Sequence, residues 1–427
     1  MNWTATSKRL AGLCVLPWLA VPAQAQLAAN AYEQPPRVRL SQVLPDTLMR
    51  SGVHRVEDSI RVKGALLEFT VDSDHGRYDV LSIPMLILRI HEIRTLAQAV
   101  DAYQRDNQQL AARLREIMQV GGNSPVASVG SNLEQLASNN VGQAIKDLGD
   151  RSDSKVQGAR DADNESGFES SVYESFQPGD PILAAHKRAI ALQLDLDVYS
   201  SNTRVQAFLN TLARARGGGN RNAGRTTVAL PNDPEITVDR GRVAFAVRNA
   251  LSRKTVRELY IQNEAALQAI GIEPDLYQAF LSHPAFSPRH KTEITAYLVY
   301  MNGVVNRGAL LRAALRAKDE VSALAYVRMA RMLAYYHENT ERLQRLVSGG
   351  SVLMAVTTGN NMAMVLPFDL LWWNSNTDRV FSSLAEFADQ NGFKLRELLL
   401  IGITSDTARL QLERRKFSIR EKYLLSP

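Results

Sequence analysis

The apolar pattern of this chain changes period at Pro84, and that change constrains the fold more than any other single feature. Before it, "KGALLEFTV" alternates, with Leu67, Phe69 and Val71 on one face and Leu66, Glu68 and Thr70 on the other. "RYDVLSI" repeats the alternation, so two strands are predicted. The stretch between them, "VDSDHGRYD", packs aspartates and His75 around Gly76. A calcium loop would need further oxygen ligands and a closing Glu, and a zinc site a second nearby histidine. A short Gly-containing loop between alternating segments reads instead as a β-hairpin turn.

After Pro84 the spacing becomes helical. Leu86, Ile90, Ile93, Ala97 and Val100 form a stripe that Asn107, Leu110, Leu114 and Ile117 continue until Gly121-Gly122. Pro84 suits a first-turn position. The spacing predicts a rod of about 50 Å at 1.5 Å per residue, lying along its own domain or forming a coiled-coil seam. A two-stranded hairpin covers only part of such a stripe. The surplus, carried by Leu110, Leu114 and Ile117, is expected to meet the helices beyond the next linker, a protein partner or a second copy.

The remaining chain divides by composition and period. Residues 1–25 combine Lys8 and Arg9, the apolar "LAGLCVLPWLAV" and Ala23-Gln24-Ala25, the layout of a cleaved secretory signal peptide. The protein is therefore expected in the periplasm or outside the cell, and no later apolar run approaches membrane-spanning length. Residues 26–60 read as an extended lead-in, 61–120 as hairpin and long helix, and 121–180, small and polar, as a flexible linker. Residues 181–345 read as a helical bundle interrupted by a mobile arginine-glycine loop over 214–242. In 346–427, strands and helices alternate, with a hairpin at "SVLMAVTTGNNMAMV", a helix capped by Thr377 and the buried strand "LRELLLIGIT". The predicted class is α+β, mostly helical, with a small α/β unit at the C-terminal end.

Composition excludes several chemistries. Cys14, inside the signal segment, is the only cysteine, so an exported mature chain has no disulfide, thiolate metal site or cysteine nucleophile. The formal charge is +6, of which Lys8 and Arg9 contribute two, too mild to indicate nucleic acid. The loop arginines Arg214, Arg216, Arg221 and Arg225 lack interleaved aromatics and suit an anionic envelope surface better than RNA.

No nucleophile elbow, phosphate-binding loop, dinucleotide fingerprint or paired-histidine zinc motif is present, and no cofactor or metal is implied. His283, His290 and Glu293 in "HPAFSPRHKTE" read as a polar helix start at Ser287-Pro288. The catalytic candidates are Asp369, Thr404, Ser405 and Asp406, which fall near predicted strand ends, where open α/β sheets gather ligands. Ser405 or Thr404 capping the following helix explains the same residues. Trp372-Trp373 reads as packing, with a binding ledge as the alternative.

"GALLEFTVDSDHGRYDV", "IHEIRTLAQ", "DVYSSNTRVQ", "HPAFSPRHKTEI" and "GITSDTARLQLERRKFSI", in this order, resemble a family of exported bacterial proteins of unknown function. The resemblance supports this domain order and implies no activity. Two functions are therefore expected: a non-enzymatic interaction or envelope-associated protein, or a hydrolase or transferase with a pocket between the C-terminal α/β unit and the bundle.

Overall fold

The computed structural model describes residues 32–74, 76–120, 179–217, 242–349 and 352–423. The signal segment, nearly all of the 121–180 linker and the loop arginines Arg221 and Arg225 lie outside the described residues. Within them the protein is α+β and mostly helical.

The described part of the lead-in, from residue 32, is not extended throughout. Two short helices, α1 (Leu40–Val43) and α2 (Asp46–Met49), precede strand β1 (His54–Val56). Leu40, Val43, Leu44 and Leu48 are buried in the largest core, and this apolar burial organises a segment whose local pattern is weak. Strands β2 (Arg61–Lys63), β3 (Leu66–Ser73) and β4 (Gly76–Leu81) complete an antiparallel sheet. The expected hairpin is present, with Ser73 opposite Gly76 at its tip. Gly76 has φ 114°, a conformation costly for residues with a Cβ. Of the turn residues, Asp79 accepts a bond from Thr70 Oγ1 at 2.8 Å.

The predicted 84–119 rod is two helices. Helix α3 (Ile83–Asp106) begins where Ser82 Oγ accepts the Met85 amide, with Pro84 in the first turn. It ends at Asn107, whose amide donates to Tyr103 O at 2.6 Å. The Asn107 side chain then accepts the Leu110 amide at 3.0 Å, starting α4 (Gln108–Val120). The residue read as part of the apolar stripe is a helix cap. Arg115 Nη1 donates to Gln104 Oε1 across the bend, and the two helices pack on each other.

The central helices are α5 (Pro181–Gln193), α6 (Thr203–Gly217), α7 (Arg242–Arg253), α8 (Val256–Ala269), α9 (Pro274–Ser282), α10 (Pro288–Tyr300), α11 (Gly308–Ala314) and α12 (Glu320–Asn339). Asp180, assigned above to the linker, caps α5 by accepting the Ile182 amide at 2.7 Å. Residues 214–217, assigned to the loop, are the last turn of α6. Ser287 and Pro288 start α10 as expected, and Thr255 with Glu258 forms a capping box on α8.

The C-terminal sheet joins β5 (Leu343–Gly349), β6 (Val352–Thr357), β7 (Met362–Leu366), β9 (Arg396–Leu400) and β11 (Phe417–Arg420), in the order β11-β9-β7-β6-β5. Strands β5, β6 and β7 pair antiparallel, whereas β7, β9 and β11 run parallel. The parallel strands are linked through α13 (Ser375–Gln390) and α14 (Asp406–Arg414), and β8 (Leu370–Leu371) pairs with β10 (Ile403–Thr404) beside them. Asn374 rather than Thr377 caps α13, because its Oδ1 accepts the Asn376 and Thr377 amides.

Both faces of this sheet are covered, which explains its unbroken apolar strands. Leu353, Ala355, Ala363, Val365 and Leu399 face the large core shared with the bundle. Met354, Val356, Met364, Leu398 and Leu400 face a separate core under α13 and α14. A further core joins the second half of α3 to α4, α5, α6 and α7.

Candidate functional site

Helix α3 crosses from one core to the next. Residues up to Ile93 belong to the large core, and those from Leu96 onward to the core with α4, α5 and α6. At the seam lie Arg89 and Glu92, the latter only 1 % exposed. Glu92 accepts from Arg89 Nη1 at 2.8 Å, from Asn202 Nδ2 at 2.8 Å and from Ser200 Oγ. Arg89 Nη2 donates to Ser201 Oγ at 2.7 Å, and Ser201 Oγ donates to Glu320 at the start of α12. A buried charge pair is tolerated only when its hydrogen-bonding capacity is filled, and here the loop before α6 fills it.

The loop is itself pinned from below. Gln206 Nε2 donates to Val198 O and Ser200 O, and its Oε1 accepts from Lys187 Nζ at 2.6 Å. Burial lowers the Lys187 pKa to about 8. Asp197 accepts the Tyr199 amide at 2.9 Å, and burial raises its carboxyl above the usual range against the pull of Arg289. His290 is buried in its capping box with Ser287, and burial lowers its pKa. His283 lies apart, its Nε2 near Leu315 O at 3.2 Å. The two histidines therefore do not form a pair. Among the described residues, no group of three or more His, Cys, Asp and Glu side chains is placed to hold a metal ion.

Beside this junction a shallow cleft opens to solvent between α5, α7 and α10. Arg188, Arg248 and Arg289 line it together with Asp195 and apolar residues such as Leu192 and Leu251. Arg289 Nε holds Glu293 at 2.7 Å, and Arg248 Nη2 holds Asp195 at 3.1 Å. Asp195 takes a left-handed φ of 55°, and its carbonyl faces His91 Nε2 at 2.8 Å. Three guanidiniums around one opening favour binding of an anion with several acceptor oxygens.

The four residues singled out at the C-terminal strand ends are not brought together as an acid-base or nucleophile set. Asp369 is fully buried, its two oxygens accepting the Leu67 amide at 2.9 Å and the Ile83 amide at 3.1 Å. Thr404 donates to Glu421 through both its amide and its hydroxyl. Ser405 caps α14 by accepting the Ala408 amide and donates its hydroxyl to Glu33. Asp406 is exposed in the first turn of α14. Trp373 is buried under Arg415, 4.7 Å from the ring centroid, and Trp372 Nε1 donates to Gly64 O.

Arg214 and Arg216 sit on the last turn of α6, outside the residues lining the cleft. Sequence reasoning passed over Arg89, Glu92, Arg188 and Arg248. The available signal was the Arg89–Glu92 pair, spaced three apart and flanked by Ile90 and Ile93 on a helix apolar on most sides. No family model, no curated protein and no solved structure matches this chain.

Proposed function

We propose that the protein is an exported, non-enzymatic interaction module of the cell envelope, akin to the exported bacterial proteins its motifs resemble. Its address rests on the signal-like layout of residues 1–25. None of the described helices is long and apolar enough to cross a membrane.

The observation that carries this reading is the commitment of three of the candidate groups, Asp369, Thr404 and Ser405, to internal partners. The Asp369 carboxylate is spent on two backbone amides. The Ser405 hydroxyl is spent on Glu33 and on its own helix cap. A hydrolase or transferase at the same place would need a nucleophile and a base facing one opening. Instead, these groups fasten the C-terminal unit to the N-terminal sheet and lead-in, as a binding scaffold requires.

The test is in vivo crosslinking of the full chain in its host, followed by envelope fractionation and mass spectrometry. The reading expects a mature N-terminus at Gln26 and a reproducible crosslinked envelope partner. Recovery of the chain in the cytoplasm with an intact residue 1–25 segment would overturn it. So would turnover of ester, phosphoester or glycoside substrates by the purified protein that disappears in Ser405→Ala.

A further inference from the structure

We propose that the cleft between α5, α7 and α10 is a binding site for a phosphate group, held by Arg188, Arg248 and Arg289. This rests on the reading of the protein as an envelope interaction module and names the chemistry that one surface would recognise.

The carrying observation is Arg188. It is only 9 % exposed, and among the described residues its Nε has no hydrogen-bond partner. Two other buried arginines spend their guanidiniums on several acceptors: Arg89 holds Glu92 and Ser201, and Arg396 holds Asp389 and the Arg415 carbonyl. Glu258, an acid within electrostatic reach of Arg188, uses its Oε2 on both the amide and the hydroxyl of Thr255 in the α8 capping box. A buried guanidinium short of acceptors is costly unless something supplies them. Arg188 lines the cleft, where a ligand could do so.

The other two guanidiniums make the site more than one stray cation. Arg248 uses Nη2 on Asp195 and on Leu192 O, and Arg289 uses Nε on Glu293. Each arginine has five N–H donors in a planar fork, so both retain donors beyond these bonds. Asp195 is the acid in the lining, and its pairing with Arg248 offsets its repulsion of an anion. Three forks from three helices suit the several oxygens of a phosphate better than the two of a carboxylate. The opening is shallow, so it would take the phosphate group of a lipid headgroup or of a soluble phosphate compound rather than enclose a large ligand.

The experiment titrates the full-length mature protein with inorganic phosphate and with succinate by calorimetry. It also sediments the protein with phosphatidylglycerol vesicles, using phosphatidylcholine vesicles as control. Phosphate should bind, and more tightly than succinate. Arg188→Gln and Arg248→Gln should each weaken phosphate binding by about tenfold, the scale of one charge-assisted contact. Arg214→Gln, on the end of α6, should leave it unchanged. Where Arg188→Gln loses its native circular dichroism, Arg248→Gln decides, since that side chain is 40 % exposed. Vesicle binding that phosphate displaces assigns the headgroup as source, whereas phosphate binding without vesicle binding assigns a soluble compound. No phosphate binding, equal binding by Arg248→Gln, or tighter binding of succinate would overturn the site. If the crosslinked envelope partner persists in that event, the broader function stands without the cleft.

Discussion

The Asp369 carboxylate accepts the backbone amide of Leu67 at 2.9 Å across 302 positions of sequence. Its other oxygen accepts the Ile83 amide, at the start of α3, at 3.1 Å. One side chain thus ties the C-terminal sheet to the N-terminal hairpin and to the helix that follows it. The amides of Asp369 and Leu370 reinforce the joint by donating to Ala65 O.

That joint should be pH-dependent. Burial pushes the Asp369 pKa up to about 7, against the two amides that favour the anion. The unfolded value is about 3.9, so between these values the native state binds more protons than the unfolded state. Stability from this group is full below about pH 4 and falls as pH rises to about 7, by at most about 1.4 kcal/mol per pH unit. The stability of the parent relative to Asp369→Asn, measured by denaturant unfolding, should therefore shrink between pH 4.5 and 7.5. A constant difference would show that the carboxyl does not titrate in this window.

Gly402 should tolerate no side chain. A Cβ there would lie 1.8 Å from the Asp369 carbonyl oxygen and 2.3 Å from its carbon, and backbone cannot yield as a flexible side chain can. Gly402→Ala should cost about 3 kcal/mol or more, as overpacking does. Gly52→Ala, with nothing within 4 Å, is the control and should stay within about 0.5 kcal/mol. Equal melting temperatures for the two variants would contradict this reading of the β8–β10 joint.

Leu114 is buried in the core that α4 shares with α5, α6 and α7. Leu114→Asp should cost several kcal/mol by burying an unpaired carboxylate in a dry site. Melting temperature and protease resistance of α4 should drop together. Sedimentation should be unchanged, because the contact lies within the chain. An altered sedimentation coefficient with unchanged melting would relocate Leu114 to an interface between copies.

Removing Glu92 should strand Arg89. Glu92→Leu leaves a buried guanidinium without its charged acceptor, a loss of about 3 kcal/mol. Arg89→Met combined with Glu92→Leu should recover part of that loss, since it removes both buried charges. A double variant no better than the sum of the singles would show that the pair is not coupled.

Much of the architecture is legible locally. The hairpin around Gly76, the start of α10 at Ser287-Pro288, and the capping of α14 by Ser405 follow from signals spanning a few residues. The continuous apolar run of β9 correctly indicated a strand buried on both faces. The misreadings have a common origin. Asn107 matched a helical stripe by spacing, yet an asparagine that bonds the backbone just ahead ends one helix and starts another. The lead-in lacked periodicity, yet Leu40, Leu44 and Leu48 are buried because remote chain covers them.

The candidate site shows the same division. Helix and strand types arise from side-chain spacing and caps, whose energetics are settled within three or four residues. Whether a charge on such an element is solvated or buried depends on what the rest of the chain lays over it. Glu92 and Asn202 stand 110 positions apart, Ser201 and Glu320 119 apart, and Glu33 meets Ser405 across 372. Desolvation of a carboxylate or guanidinium is a property of that packed surrounding, not of its neighbours in sequence. For that reason Arg188 is one more charge on a helix in the sequence, and a buried cation beside an open cleft only in the tertiary structure.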